Sequence, residues 1–237
     1  MIIKNNDLPK HVAFIMDGNR RWAEKSSLPG VEGHKMGVKT IKEIIIYGKE
    51  LGISYMTFFL FSSENWQRKQ EEVGFLMDLI FKSLSKTEYA FLDDNKIRIK
   101  FIGRQDKISE AIKERIEACE QHTAEYDGVN VILAFNYGAR QEITEAVKRV
   151  VKKVQNSQLK VEEITEEVVA RCLYYNDLPD PDLLIRTSGE YRVSNFLLWQ
   201  IAYSELYFTD MLWPDFNRTS FDQALDAYKN RARRYGA

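Results

Sequence analysis

The chain has 237 residues, 44% of them apolar, and its 34 Lys and Arg against 35 Asp and Glu leave a formal net charge of −1. That apolar share is enough for a sizeable core and excludes a disordered chain, while near-neutrality excludes a general attraction to nucleic acid, though not a local basic patch. Cys119 and Cys172 stand too far apart for a metal-ligand motif and read as small buried residues. The opening MIIKNNDLPKH has no signal-peptide core and no apolar run is long enough to span a bilayer, so a cytoplasmic protein is expected.

In chain order, a strand is predicted at 12–16, a helix at 38–51, a strand at 55–61 and a long helix at 72–92. A strand at 97–102 and a helix at 109–126 follow, then a strand at 129–135, helices at 140–154 and 165–174, strands at 183–185 and 206–208, and a last helix at 221–233. The strands are nearly continuous apolar runs, the mark of strands covered on both faces. Their alternation with amphipathic helices predicts an α/β fold with a mostly parallel six-stranded sheet flanked by helices. There is no repeat and no low-complexity linker, and 155–160 reads as a loop, so one domain over 1–237 is expected.

Ligands of open parallel sheets collect outside the carboxyl ends of the strands. The segments there are DGNRRW (17–22), SSENWQR (62–68), NYGAR (136–140) and RTSGEYRVS (186–194), all rich in Arg, Ser, Asn or Gly. Arg20, Arg21, Arg68, Arg186 and Arg192 are expected at one rim, and five guanidiniums without matching carboxylates call for an anion. Arginine suits phosphate because its planar fork bonds bidentately. Ser62, Ser63 and Ser194 add hydroxyls, and Gly18 lets the backbone approach closely.

Asp17 would repel phosphate unless a hard cation lies between them, and Mg²⁺ typically binds one or two carboxylates together with substrate phosphate oxygens. A helix N-cap is the structural alternative for Asp17. Neither the G-x-x-x-x-G-K-[ST] loop nor the G-x-G-x-x-G fingerprint occurs. In 72–92, apolar residues at 73, 76, 77, 80, 81 and 84 form a stripe. Core packing explains most of it, but beside a diphosphate site such a stripe can also line a tunnel for an apolar tail.

HVAFIMDGNRRWA (11–23), GHKMG (33–37), FSSENWQR (61–68), NYGAR (136–140), DLLIRTSGE (182–190), RVSNFLLWQ (192–200) and ELYFTDMLWPDF (205–216) together resemble the cis-prenyltransferase family, most closely its bacterial undecaprenyl diphosphate synthases. The resemblance runs in register from about residue 8 to residue 236. It implies a homodimeric, Mg²⁺-dependent enzyme with a hydrophobic tunnel, adding isopentenyl diphosphate units to farnesyl diphosphate with Z geometry. It further implies transient contact with a membrane surface for product release.

By the same resemblance Asp17 holds Mg²⁺ and assists departure of the allylic diphosphate, and Glu205 is a second Mg²⁺-associated carboxylate. Gly18, Asn19, Arg20, Arg21 and Trp22 form the allylic site with His34 nearby. Ser62, Ser63, Glu64, Asn65, Trp66 and Arg68 lie beside the reacting carbons, Asn65 being the family's proton acceptor. An amide is a poor base, so Asn65 is expected to position a diphosphate or a water. Arg186, Arg192, Val193 and Ser194 bind isopentenyl diphosphate, and 234–236 resembles an ending that reaches a partner subunit.

Four features depart from the family pattern. Gly30 replaces an allylic-site arginine, within what reads as a mobile loop. Lys69 replaces a proline, and Tyr191 occupies a variable position. Leu60 and Phe135 stand at tunnel positions where long-chain members carry alanine, which favours a shorter product. The alternatives are therefore a shorter-chain cis-prenyl synthase and a non-catalytic partner subunit; retention of Asp17 and the first-loop arginines weighs against the second.

Overall fold

The structure, a computed structural model, describes residues 8–231. Six parallel strands form one sheet in the order β3-β4-β2-β1-β5-β6. They are β1 (His11–Ile15), β2 (Tyr55–Ser62), β3 (Arg98–Ile102), β4 (Asn130–Tyr137), β5 (Leu183–Arg186) and β6 (Glu205–Phe208). β1 is buried at every residue and β5 likewise, as their unbroken apolar sequences require.

Alternation of side chains splits the core between the two faces of the sheet. Val12, Phe14, Met56, Phe58, Val131 and Ile185 look to one face and Ala13, Ile15, Ile132, Ala134 and Leu184 to the other. The first face carries α2 (Gly30–Glu50), α3 (Gln70–Ser83), α4 (Tyr89–Asn95), α5 (Glu110–His122) and α8 (Arg218–Lys229); α6 (Ala139–Gln155) and α7 (Glu166–Ala170) pack on each other and belong to a separate cluster with Cys172. Both cysteines are buried and free.

α5 and α7 each end four residues earlier than expected, and two other helices differ more. α2 begins at Gly30, not 38, because the glycines before 38 are there for close packing on the short α1 (Asn19–Lys25). A Cβ on Gly33 would lie 1.9 Å from the Asn19 carbonyl oxygen. The helix expected over 72–92 is broken after Ser83: Ser85 turns extended, its hydroxyl meets Thr87 at 2.7 Å, and a 3₁₀ turn (Lys86–Glu88) leads into α4. Ser and Thr compete with helix in this way through local side-chain bonds. Among the described residues no helix is long and apolar enough to cross a membrane; the 234–236 ending lies outside them.

Candidate active site

β1 has β2 on one side and β5 on the other, so its carboxyl end is a point where successive strands leave in opposite directions, and ligands bind in the crevice at such points. Asp17 stands there. Gly18 follows with φ of 106°, and a Cβ on it would come within 2.8 Å of Leu212, so this sharp entry into α1 needs glycine. Asp17 does not cap α1 with its side chain, since Gly18 is the N-cap. Its Oδ1 accepts from the Gly18 N–H at 2.8 Å and its Oδ2 from Arg186 Nη2 at 2.9 Å.

A cavity of about 1180 Å³ opens at this edge. Asp17, Gly18, Asn19, Arg20, Arg21 and His34 line it from the first loop, α1 and α2. Ser62, Glu64, Asn65 and Arg68 line it from the end of β2, and Arg186, Arg192 and Ser194 from the far loop. Inward, the lining turns apolar: Ile41 and Ile45 of α2, Leu76, Leu79 and Ile80 of α3, Leu92 of α4, and Ile99, Val131 and Leu133 of the sheet. Ile99 and Val131 pair near the amino ends of their strands, so the cavity runs the length of the sheet face. The stripe on α3 is thus partly tunnel wall, as expected.

The arginines are gathered as predicted, but they are not without carboxylates. Arg20 pairs with Glu24 at 2.9 Å, Arg68 with Glu72 at 2.8 Å, Arg186 with Asp17 at 2.9 Å, Arg21 with Glu190 at 3.3 Å, and Arg192 with Glu190. Arg21 also donates to the carbonyl and hydroxyl of Ser188. Glu190, Ser188, Glu24 and Glu72 were missed as site residues. Arg186 donates from Nη1 to Ser194 Oγ at 2.7 Å and to the Arg192 carbonyl, which folds the far loop onto Asp17.

Asn65 Oδ1 accepts from the Ser62 N–H at 3.0 Å, closing the turn at Ser63–Gln67. The oxygen is engaged, which leaves the amide NH₂ to donate. Burial, followed by the nearby Arg68 charge, lowers the His34 pKa, which favours the uncharged ring. Burial pulls the Glu64 carboxyl upward, but hydrogen bonds from Asn195 and Ser63 outweigh it and hold the pKa below the usual range.

Several predicted residues stand behind the lining or away from it. Trp22 donates to Asp215 at 2.7 Å, tying α1 to the turn Trp213–Asp215. Trp66 donates to Asn136 at 2.7 Å and packs edge-on to Phe61. Ser63 accepts from Gln141, and Val193 packs in the second core. Gly30 begins α2, not a loop, and a Cβ there would meet Arg20 Cγ at an ordinary contact distance. Leu60 lines the cavity, whereas Phe135 is buried against Phe61 outside the lining. Glu205 is not brought to Asp17 within the chain: it pairs in register with Leu183 at the amino end of β5 and bonds Arg231 at 2.8 Å.

Among the described residues no cluster of three or more acidic, His or Cys side chains could hold a metal. Asp17 nonetheless fits Mg²⁺ of the kind carried by a substrate: a carboxylate one-third exposed, at a cavity mouth surrounded by phosphate-binding groups.

The family model described as "Putative undecaprenyl diphosphate synthase" matches residues 15–236. An isoprenyl transferase from Thermotoga maritima is 47% identical over 229 residues, 97% of each chain. The ditrans,polycis-undecaprenyl-diphosphate synthase ((2E,6E)-farnesyl-diphosphate specific) of Vibrio parahaemolyticus is 45% identical over 98% of this chain and 92% of its own. The crystal structure of lavandulyl diphosphate synthase from Lavandula x intermedia, in complex with dimethylallyl diphosphate, superposes with a TM-score of 0.94 at 36% identity, over 98% of this chain and all of that one. Sequence and fold agree, and the chain belongs to the undecaprenyl diphosphate synthase family of prenyltransferases.

Proposed function

We propose that this protein is a cis-prenyltransferase that adds isopentenyl diphosphate units to farnesyl diphosphate with Z geometry, giving undecaprenyl diphosphate as the carrier lipid for cell-wall synthesis. The observation that carries this reading is a single cavity whose mouth is built of arginines and whose interior is apolar. Such a cavity holds a diphosphate and a hydrocarbon tail at once.

In each cycle the allylic C–O bond breaks and diphosphate leaves with the electron pair. The isopentenyl double bond forms the new C–C bond, and transfer of a proton from its C2 to the departing diphosphate or a water restores a double bond. Gly18, Asn19, Arg20 and Arg21, with His34 as a donor, hold the allylic diphosphate. Arg186, Arg192 and Ser194 hold the isopentenyl diphosphate. Asn65, its oxygen occupied by Ser62, donates from its amide to orient the second substrate and is not the base. Mg²⁺, held by Asp17 and the diphosphate, would stabilise charge on the leaving group. A homodimer, a cytoplasmic location and brief contact with the membrane at product release complete the proposal.

The test is incubation with labelled isopentenyl diphosphate, farnesyl diphosphate and Mg²⁺, with products sized by chromatography. A ladder ending at undecaprenyl diphosphate is expected. Failure to form any polyprenyl product overturns the reading. A ladder ending earlier supports a shorter-chain synthase, which the intrusion of Leu60 into the cavity favours.

A further inference from the structure

The side of the cavity between α2 and α4 is closed by a thin wall. Lys42 on α2 and Phe91 on α4 line the main cavity and also a second, outward cavity of about 600 Å³, which Ile46 and Arg218 line from the far side. Lys42 Nζ lies 2.5 Å from Glu88 Oε2 and 5.2 Å from the centroid of the Phe91 ring. Glu88 belongs to the 3₁₀ turn at the break between α3 and α4, so that break is what carries a carboxylate across to α2. Both members of the pair keep 38% of their side chains exposed.

On α2, His34, Val38, Ile41, Lys42 and Ile45 share the face turned to the cavity. Lys42 lies eight residues beyond His34, about 12 Å along the helix axis. It is therefore well inside the apolar stretch, far from the arginines of the mouth, and its only carboxylate partner among the described residues is Glu88. A hydrocarbon tail passing this point would have to strip water from a charged pair and offer it nothing in return.

We infer that the Lys42–Glu88 bridge, braced by Phe91, is the side wall that confines the growing polyprenyl tail, and that these three residues help to set product length. The inference rests on the cis-prenyltransferase reading. A tail in a closed tunnel stops growing when the space is filled. The space beyond this wall is about half as large as the space within it, so breaching the wall adds room for further units.

The test compares wild type with Phe91→Ala, Lys42→Ala/Phe91→Ala, and Glu43→Ala, which alters only the lining of the outer cavity. The first two are expected to move the main product to a longer chain by at least one isoprene unit, and Glu43→Ala to leave it unchanged. Unchanged products from folded wall variants overturn the inference. If the alanine variants unfold, the milder Phe91→Leu and Lys42→Met/Glu88→Leu carry the same expectation. A second readout needs no turnover: calorimetric affinity for prenyl diphosphates of increasing length. In wild type the affinity should stop rising at one tail length, and a wall variant should bind the next longer tail at least tenfold tighter than wild type does. An identical plateau overturns the wall. Absence of any polyprenyl product from wild type counts against the proposed function, and the binding series then decides the wall by itself.

Discussion

Asp17 and Arg186 form an ion pair across adjacent strands, Oδ2 to Nη2 at 2.9 Å, in which Arg186 is 4% exposed and Asp17 34%. Arg186 ends β5 in register with Ile15 of β1, so two strand ends put a buried cation beside the carboxylate proposed to bind the metal. Removing Asp17 thus disturbs both metal binding and a buried guanidinium, and Asp17→Asn separates the two effects. It keeps an acceptor for Arg186 but lacks the charge Mg²⁺ requires. Turnover at saturating substrate should fall at least a hundredfold. Stability should fall by about 1–3 kcal/mol, less than for a fully buried pair, because Asp17 is partly solvated. Steady-state kinetics and thermal unfolding check both, and an Asn variant retaining a tenth of wild-type turnover would end the metal role.

Arg192→Ala and Arg186→Ala should differ in kind. Arg192 is largely exposed and pairs with Glu190, whereas Arg186 bonds Ser194, the Arg192 carbonyl and Asp17. Loss of Arg192 should raise the KM for isopentenyl diphosphate about ten- to a hundredfold, the worth of one charge-assisted contact, and leave that for farnesyl diphosphate nearly unchanged. Loss of Arg186 should impair both. Equal effects of Arg192→Ala on both constants would mean that the two diphosphate sites are wrongly divided.

Gly30→Arg should lower the KM for farnesyl diphosphate. A Cβ there meets nothing closer than Arg20 Cγ at 3.8 Å, so the side chain is accommodated. Arg20 and the start of α2 are both positive, so the added guanidinium is stabilised only when an anion lies between them. A tenfold or greater gain for the allylic substrate, without a matching gain for isopentenyl diphosphate, is expected from initial-rate kinetics. No change would place this position outside the diphosphate's reach.

Leu60→Ala and Phe135→Ala, alike in sequence logic, should give opposite results. Leu60 lines the cavity, so trimming it should lengthen the products. Phe135 is 2% exposed and packs on Phe61 at 5.9 Å between centroids. Its truncation should cost about 3–5 kcal/mol of stability and leave product length alone. Product sizing beside chemical denaturation distinguishes them.

Stability should also fall in mild acid because of His11. The ring is fully buried, Nδ1 lies 2.6 Å from the Pro179 carbonyl and Nε2 2.8 Å from the Thr57 hydroxyl. Nδ1 must donate to the carbonyl, and in the neutral ring Nε2 then accepts from the hydroxyl. Burial lowers its pKa from 6.5 to about 4. The unfolded state then binds more protons between those values. The stabilisation is complete above pH 6.5 and is lost as pH falls toward 4, about 3 kcal/mol in all. Thermal midpoints across that range should decline in wild type and decline less in His11→Gln.

The strands were legible because near-continuous apolar runs in a parallel sheet admit few other readings, and all six lie within two residues of their expected bounds. The break at Ser83–Ser85 was not, because the apolar stripe of α3 continues through Leu84 and periodicity does not register a Ser–Thr hydrogen bond. The arginines were legible as chemistry, but their partners were only half so. Glu24 and Glu72 stand four residues after Arg20 and Arg68 and could have been read from helical spacing. Glu190 with Arg21, and Asp17 with Arg186, join segments 169 residues apart and need the fold. Glu205 fell at the amino edge of the sheet because strand register is set by neighbours, not by a strand's own residues.

Because every arginine at the mouth already has a carboxylate, an incoming anion must compete with these carboxylates for the guanidiniums. A small oxyanion such as inorganic phosphate would have to displace one or two of these pairs and would gain nothing from the tunnel. A prenyl diphosphate spans more of them, and its tail adds about 0.8 kcal/mol for each CH₂ buried in the tunnel. A prenyl diphosphate is therefore favoured over inorganic phosphate by the surface its tail buries as well as by the guanidiniums it reaches.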